Sequence, residues 1–471
     1  MKKKLLFSGI ILSFLTLGFA KAQNIQFEDA KFKKELLSAS PNNRIAKDAD
    51  GNPITIDTNS DGEISQAEAL NIYQLNIDEV QDVISMKGIE YFTNLTVLSC
   101  SNLYILKSLD VSKNINLQTL YLWYNTGLQT LDLSKNIQLQ SLYLGNTKIK
   151  TLDNSKNVQL QELYLVNTKI KILDLSKNTS LQTLLLSSKE IEILDISKNI
   201  NLQVLYLEDN ENLQTIDLSK NINLQKLDLK DIKIQKLDIS KNVNLQKLDL
   251  KDIKIETLDL SKNIDLQELD LNGIEIQTLD LSKNVNLQKL DLKDTKIKTL
   301  DLSKNFDLQK LFLEDVGIKT LDISKNINLQ IIDLSHTKIE TLDVSKNINL
   351  QNLDLFHCSM IKILDVSYNT NLTYLSLWWC KGLTSLYMKN GIKKIFNGDY
   401  IKSYEFGGTN LKYICCDEDE IDIVKKYMKN LAAKKSLVKG WQFSNLTVTS
   451  DCGTEGTKEI PQEKTASNPN P

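Results

Sequence analysis

Asp57, Asn59, Asp61, Glu63, Ser65 and Glu68 set oxygen-bearing side chains at near-alternate positions of one short segment, with Gly62 inside it and Ile64 as its apolar member. Alternate oxygens can wrap a hard cation, a glycine permits the sharp turn, and a closing Glu can offer both oxygens from the first turn of a helix. The spacing is therefore that of a calcium-binding loop, with a structural Ca2+ as its ion. It predicts an exiting helix over 66–73, and Ile54, Thr55 and Ile56 predict a strand leading in. The only two histidines, His336 and His357, stand near Cys358 and Cys380. Zinc would need thiols and imidazoles on one side of the chain, whereas here the thiols should face inward and the imidazoles outward. No nucleophile elbow, phosphate loop or pocketed carboxylate pair accompanies the histidines, so the chain does not read as an enzyme.

The element that must position everything else is a repeat. The segment 130–136, Thr-Leu-Asp-Leu-Ser-Lys-Asn, returns with its Asp at 110, 132, 153, 174, 195, 217, 238, 259, 280, 301, 322, 343 and 365, always 21 or 22 residues on. Such a period marks a solenoid, so the 471 residues do not count globular domains. Each coil carries Leu-Gln-x-Leu-x-Leu, a turn, and then Leu-Asp-Leu-Ser-Lys-Asn. Both halves alternate leucine with polar residues, which puts leucines inward from two sides of a flat ring. The Asn at 114, 136, 157, 178, 199, 221, 242, 263, 284, 305, 326, 347 and 369 does not vary. A buried amide at each of these positions should bond the backbone of its own turn and of the next coil. The Asp and Lys rows of the same half read as a solvated, charge-balanced surface.

Binding residues are sought where the coils differ. On the Leu-Gln-x-Leu-x-Leu half, the outward positions hold Tyr121, Trp123, Tyr143, Tyr164 and Tyr206 early in the array, Asp and Lys in the middle, and Trp378 near its end. Exposed Tyr and Trp are the anchors that protein interfaces use, so these six residues are the candidate contacts for a protein ligand. Carbohydrate recognition and a structural, self-associating role are the alternatives.

The ends of the chain supply an address and two caps. Lys2 to Lys4, an apolar run over 5–19 and Ala20-Lys21-Ala22 have the three parts of a signal peptide, residues 1–22. Its removal takes four lysines from a chain already at a formal charge of −3, which argues against a nucleic-acid partner. No second apolar span appears, so the product is expected to be exported, secreted or at the cell surface, without a transmembrane segment, and monomeric. Residues 23–83 form a small helical cap holding the calcium loop, 84–390 the solenoid, 391–452 an end cap and 453–471 a disordered tail. The end cap should contain a helix over 417–435 and a strand over 443–449. In an exported chain Cys452 should pair with Cys415 or Cys416. Cys100 occupies a buried leucine position, and Cys358 and Cys380 are read as packed thiols, because parallel side chains do not reach the ~3.8 Å between β-carbons that a disulfide prefers.

The coil 116–125, Asn-Leu-Gln-Thr-Leu-Tyr-Leu-Trp-Tyr-Asn, resembles the strand motif of leucine-rich repeats. The whole of residues 24–390 is similar to the secreted, short-repeat bacterial proteins of that kind, internalins included, whose helical caps of EF-hand character run into a segment like 88–95. The resemblance implies an α/β solenoid with parallel strands on a concave sheet, a small helical N-terminal cap, an α/β C-terminal cap and a role in binding proteins of a host or neighbouring cell. No wall-anchoring signal follows the array, and its second half-repeat is more regular than that of internalins.

Overall fold

The computed structural model describes residues 23–392, 404–433 and 445–452. The expected signal peptide (1–22), residues 434–435 of the expected helix, 443–444 of the expected strand and the expected tail (453–471) lie outside the described residues.

The N-terminal cap begins with helix α1, Ala30–Leu37, which buries Phe32 and Leu36. Asp29 starts it: one carboxylate oxygen accepts from the amides of Lys31 and Phe32, and the other accepts from Ile84 at 2.7 Å, tying the helix to the head of the array. Strand β1, Ala46–Lys47, pairs antiparallel with β2, Gln74–Asn76, and β2 pairs in parallel with β3, Val97–Ser99. The cap thus contributes the first strands of the sheet.

From β3 the chain adds one strand per coil, β4 being Thr119–Tyr121, in a parallel sheet that runs to Tyr374–Ser376 and Tyr404–Glu405. Apart from the two-residue Tyr404–Glu405, each of these strands is only three or four residues long and buries a central Leu or Ile, as at Leu98, Leu120, Leu142 and Leu163. Burial of each such side chain contributes about 1.5–3 kcal/mol. The fold is a leucine-rich-repeat β-solenoid with few helices, as its period implies.

The second half-repeat behaves differently from its alternating pattern. In most coils it is a run of turns in which the Asp carboxylate accepts the amide of the Ser two residues on, as in Asp132 and Ser134 at 2.8 Å. It becomes strand only at the far end, where Ile363–Asp365, Ser385–Tyr387, Tyr413–Cys415 and Thr447–Thr449 form a separate four-stranded sheet. Alternation reports which side chains point inward; it does not report whether neighbouring backbones come close enough to pair.

Between the two halves stands the asparagine column, buried throughout. Each amide nitrogen donates twice to the preceding coil, Asn136 to the carbonyls of Val111 and Asn114 and Asn242 to those of Leu218 and Asn221. The expectation of bonds to the next coil and to the residue's own turn is corrected here: both side-chain bonds run backward. The own turn is closed by backbone instead, Asn136 N to Leu133 O and Leu139 N to Asn136 O.

The array ends in a cap. A 3-10 turn, Glu418–Glu420, leads into a helix, Ile421–Ala433, that packs Tyr427 edge-on against Phe406 at 5.8 Å.

Candidate binding surface

The in-register sheet turns a sequence row into a physical column. Tyr121 lies opposite Tyr143, and Tyr143 opposite Tyr164. Their rings stack face to face with centroids 4.5 and 4.4 Å apart. Trp123 joins from the next outward position, 6.3 Å from Tyr143 and 6.4 Å from Tyr164. Gly145 makes room for it, since a β-carbon there would sit 1.8 Å from the indole. The Tyr143 hydroxyl donates to Glu162 at 2.6 Å, and burial together with that carboxylate pushes its pKa upward, so it stays neutral. Aromatic pairs of this geometry contribute ~0.5–1.5 kcal/mol each and hold the rings rigid.

Not all six expected contact residues belong to this cluster. Leu185 separates Tyr206 from Tyr164 along the column. Trp378 lies near the other end of the sheet, its ring over Gly407. The structure therefore unites Tyr121, Trp123, Tyr143 and Tyr164, and leaves Tyr206 and Trp378 as separate features.

Beyond Tyr206 the same column becomes Asp228, Asp249, Asp270 and Asp291, paired strand to strand. Each Asp accepts the amide two residues on, as Asp228 does from Lys230 at 3.0 Å. Lysines flank the column, Lys247 bridging Glu268 at 3.3 Å and Lys293 bridging Glu314 at 3.6 Å. Burial, reinforced by the neighbouring aspartates, lifts the carboxyls of Asp228 and Asp291 to about 6.

A feature the sequence reading passed over lies directly after each invariant Asn. Ile115, Ile137, Val158, Ile200, Ile222, Val243, Ile264, Val285, Phe306, Ile327 and Ile348 are 44–54 % exposed and form an apolar ridge along the array. Next to it the exposed Asn223 and Asn244 donate to the ridge carbonyls of Ile200 and Ile222. The signal was present as an apolar residue, β-branched except at Phe306, one position after the Asn; Thr179 and Thr370 are the two exceptions.

The calcium-loop residues lie together before a single helical turn, Gln66–Ala69, shorter than the 66–73 expected. The turn ends because the chain joins the sheet, Tyr73 donating to Lys47 O at 2.9 Å. The strand expected over 54–56 is not formed: the neighbouring bridge is Lys47 to Pro53, and Ile54 donates to Ala46 O at 3.0 Å before the chain leaves for the loop. Asp57 accepts the amides of Asp61 and Gly62, Asn59 that of Asp61, and Asp61 that of Glu63. Glu63 pairs with Lys33 at 2.6 Å. Glu68 accepts from Thr58 with one oxygen and from Ser65 with the other, closing a capping box. Among the described residues no group of three or more His, Cys, Asp or Glu side chains is arranged to hold a metal ion.

The thiols follow the sequence reading. Cys415 and Cys452 form a disulfide with Cα atoms 5.5 Å apart, and Cys416 is buried and reduced. Cys100, Cys358 and Cys380 are buried free thiols. Cys358 donates to Leu334 O and Cys380 to Leu355 O in the preceding coil, and burial raises the Cys358 thiol to about 11. His336 and His357 stack on the exposed side of the turn at 5.0 Å.

Comparison with known proteins places these features in a recognised architecture. No protein-family model matches the chain, and no curated protein is significantly similar to it. Among solved structures, it is similar to the functional domain of InlJ from Listeria monocytogenes, which includes a cysteine ladder: 25 % identity, TM-score 0.57, 74 % of this chain and 80 % of that one. A leucine-rich-repeat protein of Leptospira interrogans aligns with 22 % identity and TM-score 0.61 over 77 % of this chain and 89 % of its own. The internalin InlF of Listeria monocytogenes aligns with 23 % identity and TM-score 0.52 over 69 % and 96 %. The fold is internalin-like. No helix among the described residues is long and apolar enough to cross a membrane.

The aspartate column carries a pH signature. A folded carboxyl that binds its proton more tightly than the unfolded one contributes stability that is full below about pH 4 and lost as pH rises through about 6. The Asp228→Asn, Asp291→Asn double variant should melt higher than the parent at about pH 7 and show no such gain at about pH 4, a difference read by calorimetry at the two pH values.

Proposed function

We propose that this chain is an exported leucine-rich-repeat scaffold that binds a protein ligand through the front face of its sheet, an adhesin-like or host-interaction role. The observation that carries this reading is the rigid Tyr121–Tyr143–Tyr164 stack with Trp123 across it. Pre-ordered aromatic side chains lose little entropy on binding, so affinity concentrates in them. Export is supported by the signal-type N-terminus and by the Cys415–Cys452 disulfide, a bond of oxidising compartments. The internalin-like fold agrees with secretion or cell-surface display.

A second reading, self-association in an envelope, is favoured by the apolar ridge from Ile115 to Ile348; under the binding reading the purified chain is a monomer. We also propose that the loop from Asp57 to Glu68 takes up a structural calcium ion. The support is its spacing, and the ion would have to displace the bonds that Thr58 and Ser65 make to Glu68.

The protein-binding reading predicts that the purified chain retains a partner from host serum or cell-surface extracts, and that changing Tyr121, Tyr143 and Tyr164 to Ser abolishes retention. Equal capture by both chains, or capture by neither together with concentration-dependent light scattering, would move self-association ahead. For the loop, calcium should raise the melting temperature relative to a chelator, and Glu68→Gln should remove the difference. A parent protein that melts identically in both conditions has no calcium site there.

A further inference from the structure

The aromatic column does not run to the end of the sheet. Tyr121 has Tyr143 on one side, but its neighbour on the other strand is Ser99, and Ser99 in turn lies beside Asn76. The row that holds Trp123 likewise drops to Ser101. This step from large to small side chains leaves a hollow of about 400 Å³ at the N-terminal end of the front face.

Its walls differ sharply in chemistry. Tyr121 and Trp123 stand along one side, and Arg44 and Lys47, brought there by the antiparallel β1, stand along the other. Ser99, Ser101, Gln74 and Asn76 line it between them. Asp78 is also present, but its carboxylate accepts the Ser99 hydroxyl at 2.7 Å and the Ser101 amide at 2.6 Å, so it braces the floor. Among the described residues neither Arg44 nor Lys47 belongs to an ion pair. Two cations on a chain of net negative charge therefore face a flat aromatic wall across neutral donors and acceptors, with the one carboxylate, Asp78, tied to Ser99 and Ser101.

We infer that this hollow is a subsite for an acidic sugar, a pyranose ring bearing a carboxylate. Aromatic faces take the apolar C–H face of such a ring, the side-chain amides and hydroxyls match its hydroxyls, and Arg44 with Lys47 matches its charge. An acidic peptide side chain would use the cations alone and leave the neutral polar groups and the ring wall idle. The site shares Tyr121 and Trp123 with the protein-binding stack, and its cations and polar groups lie outside that stack.

Isothermal titration of the purified protein with trigalacturonate, maltotriose and triglutamate tests this assignment. Trigalacturonate should bind saturably and about tenfold or more tighter than either control, the scale of one charge-assisted hydrogen bond. Arg44→Gln combined with Lys47→Gln should lose about that factor without a change in melting temperature, since Arg44 is exposed. Tyr121→Ala should weaken binding as well, whereas Tyr164→Ala, outside the hollow, should leave it intact. Binding of triglutamate or maltotriose as tight as that of the uronate would overturn the inference. So would no binding by any probe, or a double variant that binds undiminished. Tyr121 belongs to both surfaces, so capture of a protein partner is reported separately by changing Tyr143 and Tyr164, which lie outside the hollow.

Discussion

One interaction recurs in every coil and the rest of the structure hangs on it: a buried Asn amide that donates to two carbonyls of the coil before it. A solenoid has no single core, so its stability is a sum of nearest-neighbour contacts. Leucine burial supplies most of that sum and forbids a one-residue slip, which would turn the leucines outward, but it does not by itself forbid a slip of two. The amide bonds are directional, and they fix each coil against the last at a single register. That register is what aligns Tyr121, Tyr143 and Tyr164 into a stack and Asp228 through Asp291 into a column. The turn that follows nearly every strand shows the same discipline: except after Thr183–Leu186, one residue adopts a left-handed backbone, filled mostly by Asn, Asp or Gly but by Tyr124, His336, His357 and Trp379 where aromatics crowd the edge.

Because the frame is so uniform, what distinguishes one part of the molecule from another is confined to outward positions. The front face is aromatic at its N-terminal third and acidic with lysine flanks in its middle. The acidic stretch is costly, since burial lifts its carboxyls, whereas the aromatic stretch is self-supporting through its own stacking. Rigid rings beside a hollow with free cations form the richest recognition chemistry on the described surface. The opposite half-repeat, by contrast, spends its Asp side chains on closing its own turns.

Much of this was legible in the residues. The period, the invariant Asn and the alternating leucines specify a solenoid because each repeats the same local problem and the same local solution. The burial of Cys100 followed from its leucine position in the coil, and a bond from Cys452 to Cys415 or Cys416 followed from an exported chain, whereas the choice of Cys415 did not. Other features were decided by distance across the stack, which no single coil encodes. Leu185 interrupts the tyrosine column and strands Tyr206, and the leucines of the second half point inward without their backbones pairing until Ile363. The helix after Glu68 stops early because Tyr73 is captured by Lys47, a tertiary bond that outcompetes local propensity. The subsite at Arg44 was hidden because its walls come from segments far apart in the chain.

The dependence on the asparagine column is tested most directly by two substitutions two residues apart. Asn242 donates from a buried site to Leu218 O and Asn221 O, whereas Asn244 donates from an exposed site to Ile222 O. Removing the first takes the side-chain donor from two buried carbonyls, which then keep only the turn amides of Asn221 and Leu224; removing the second leaves a carbonyl that water can reach. Urea unfolding should show Asn242→Ala losing about 1–3 kcal/mol and Asn244→Ala less than about 1 kcal/mol. Equal losses, or an Asn242→Ala protein as stable as the parent, would contradict the account and leave leucine packing alone as the source of register.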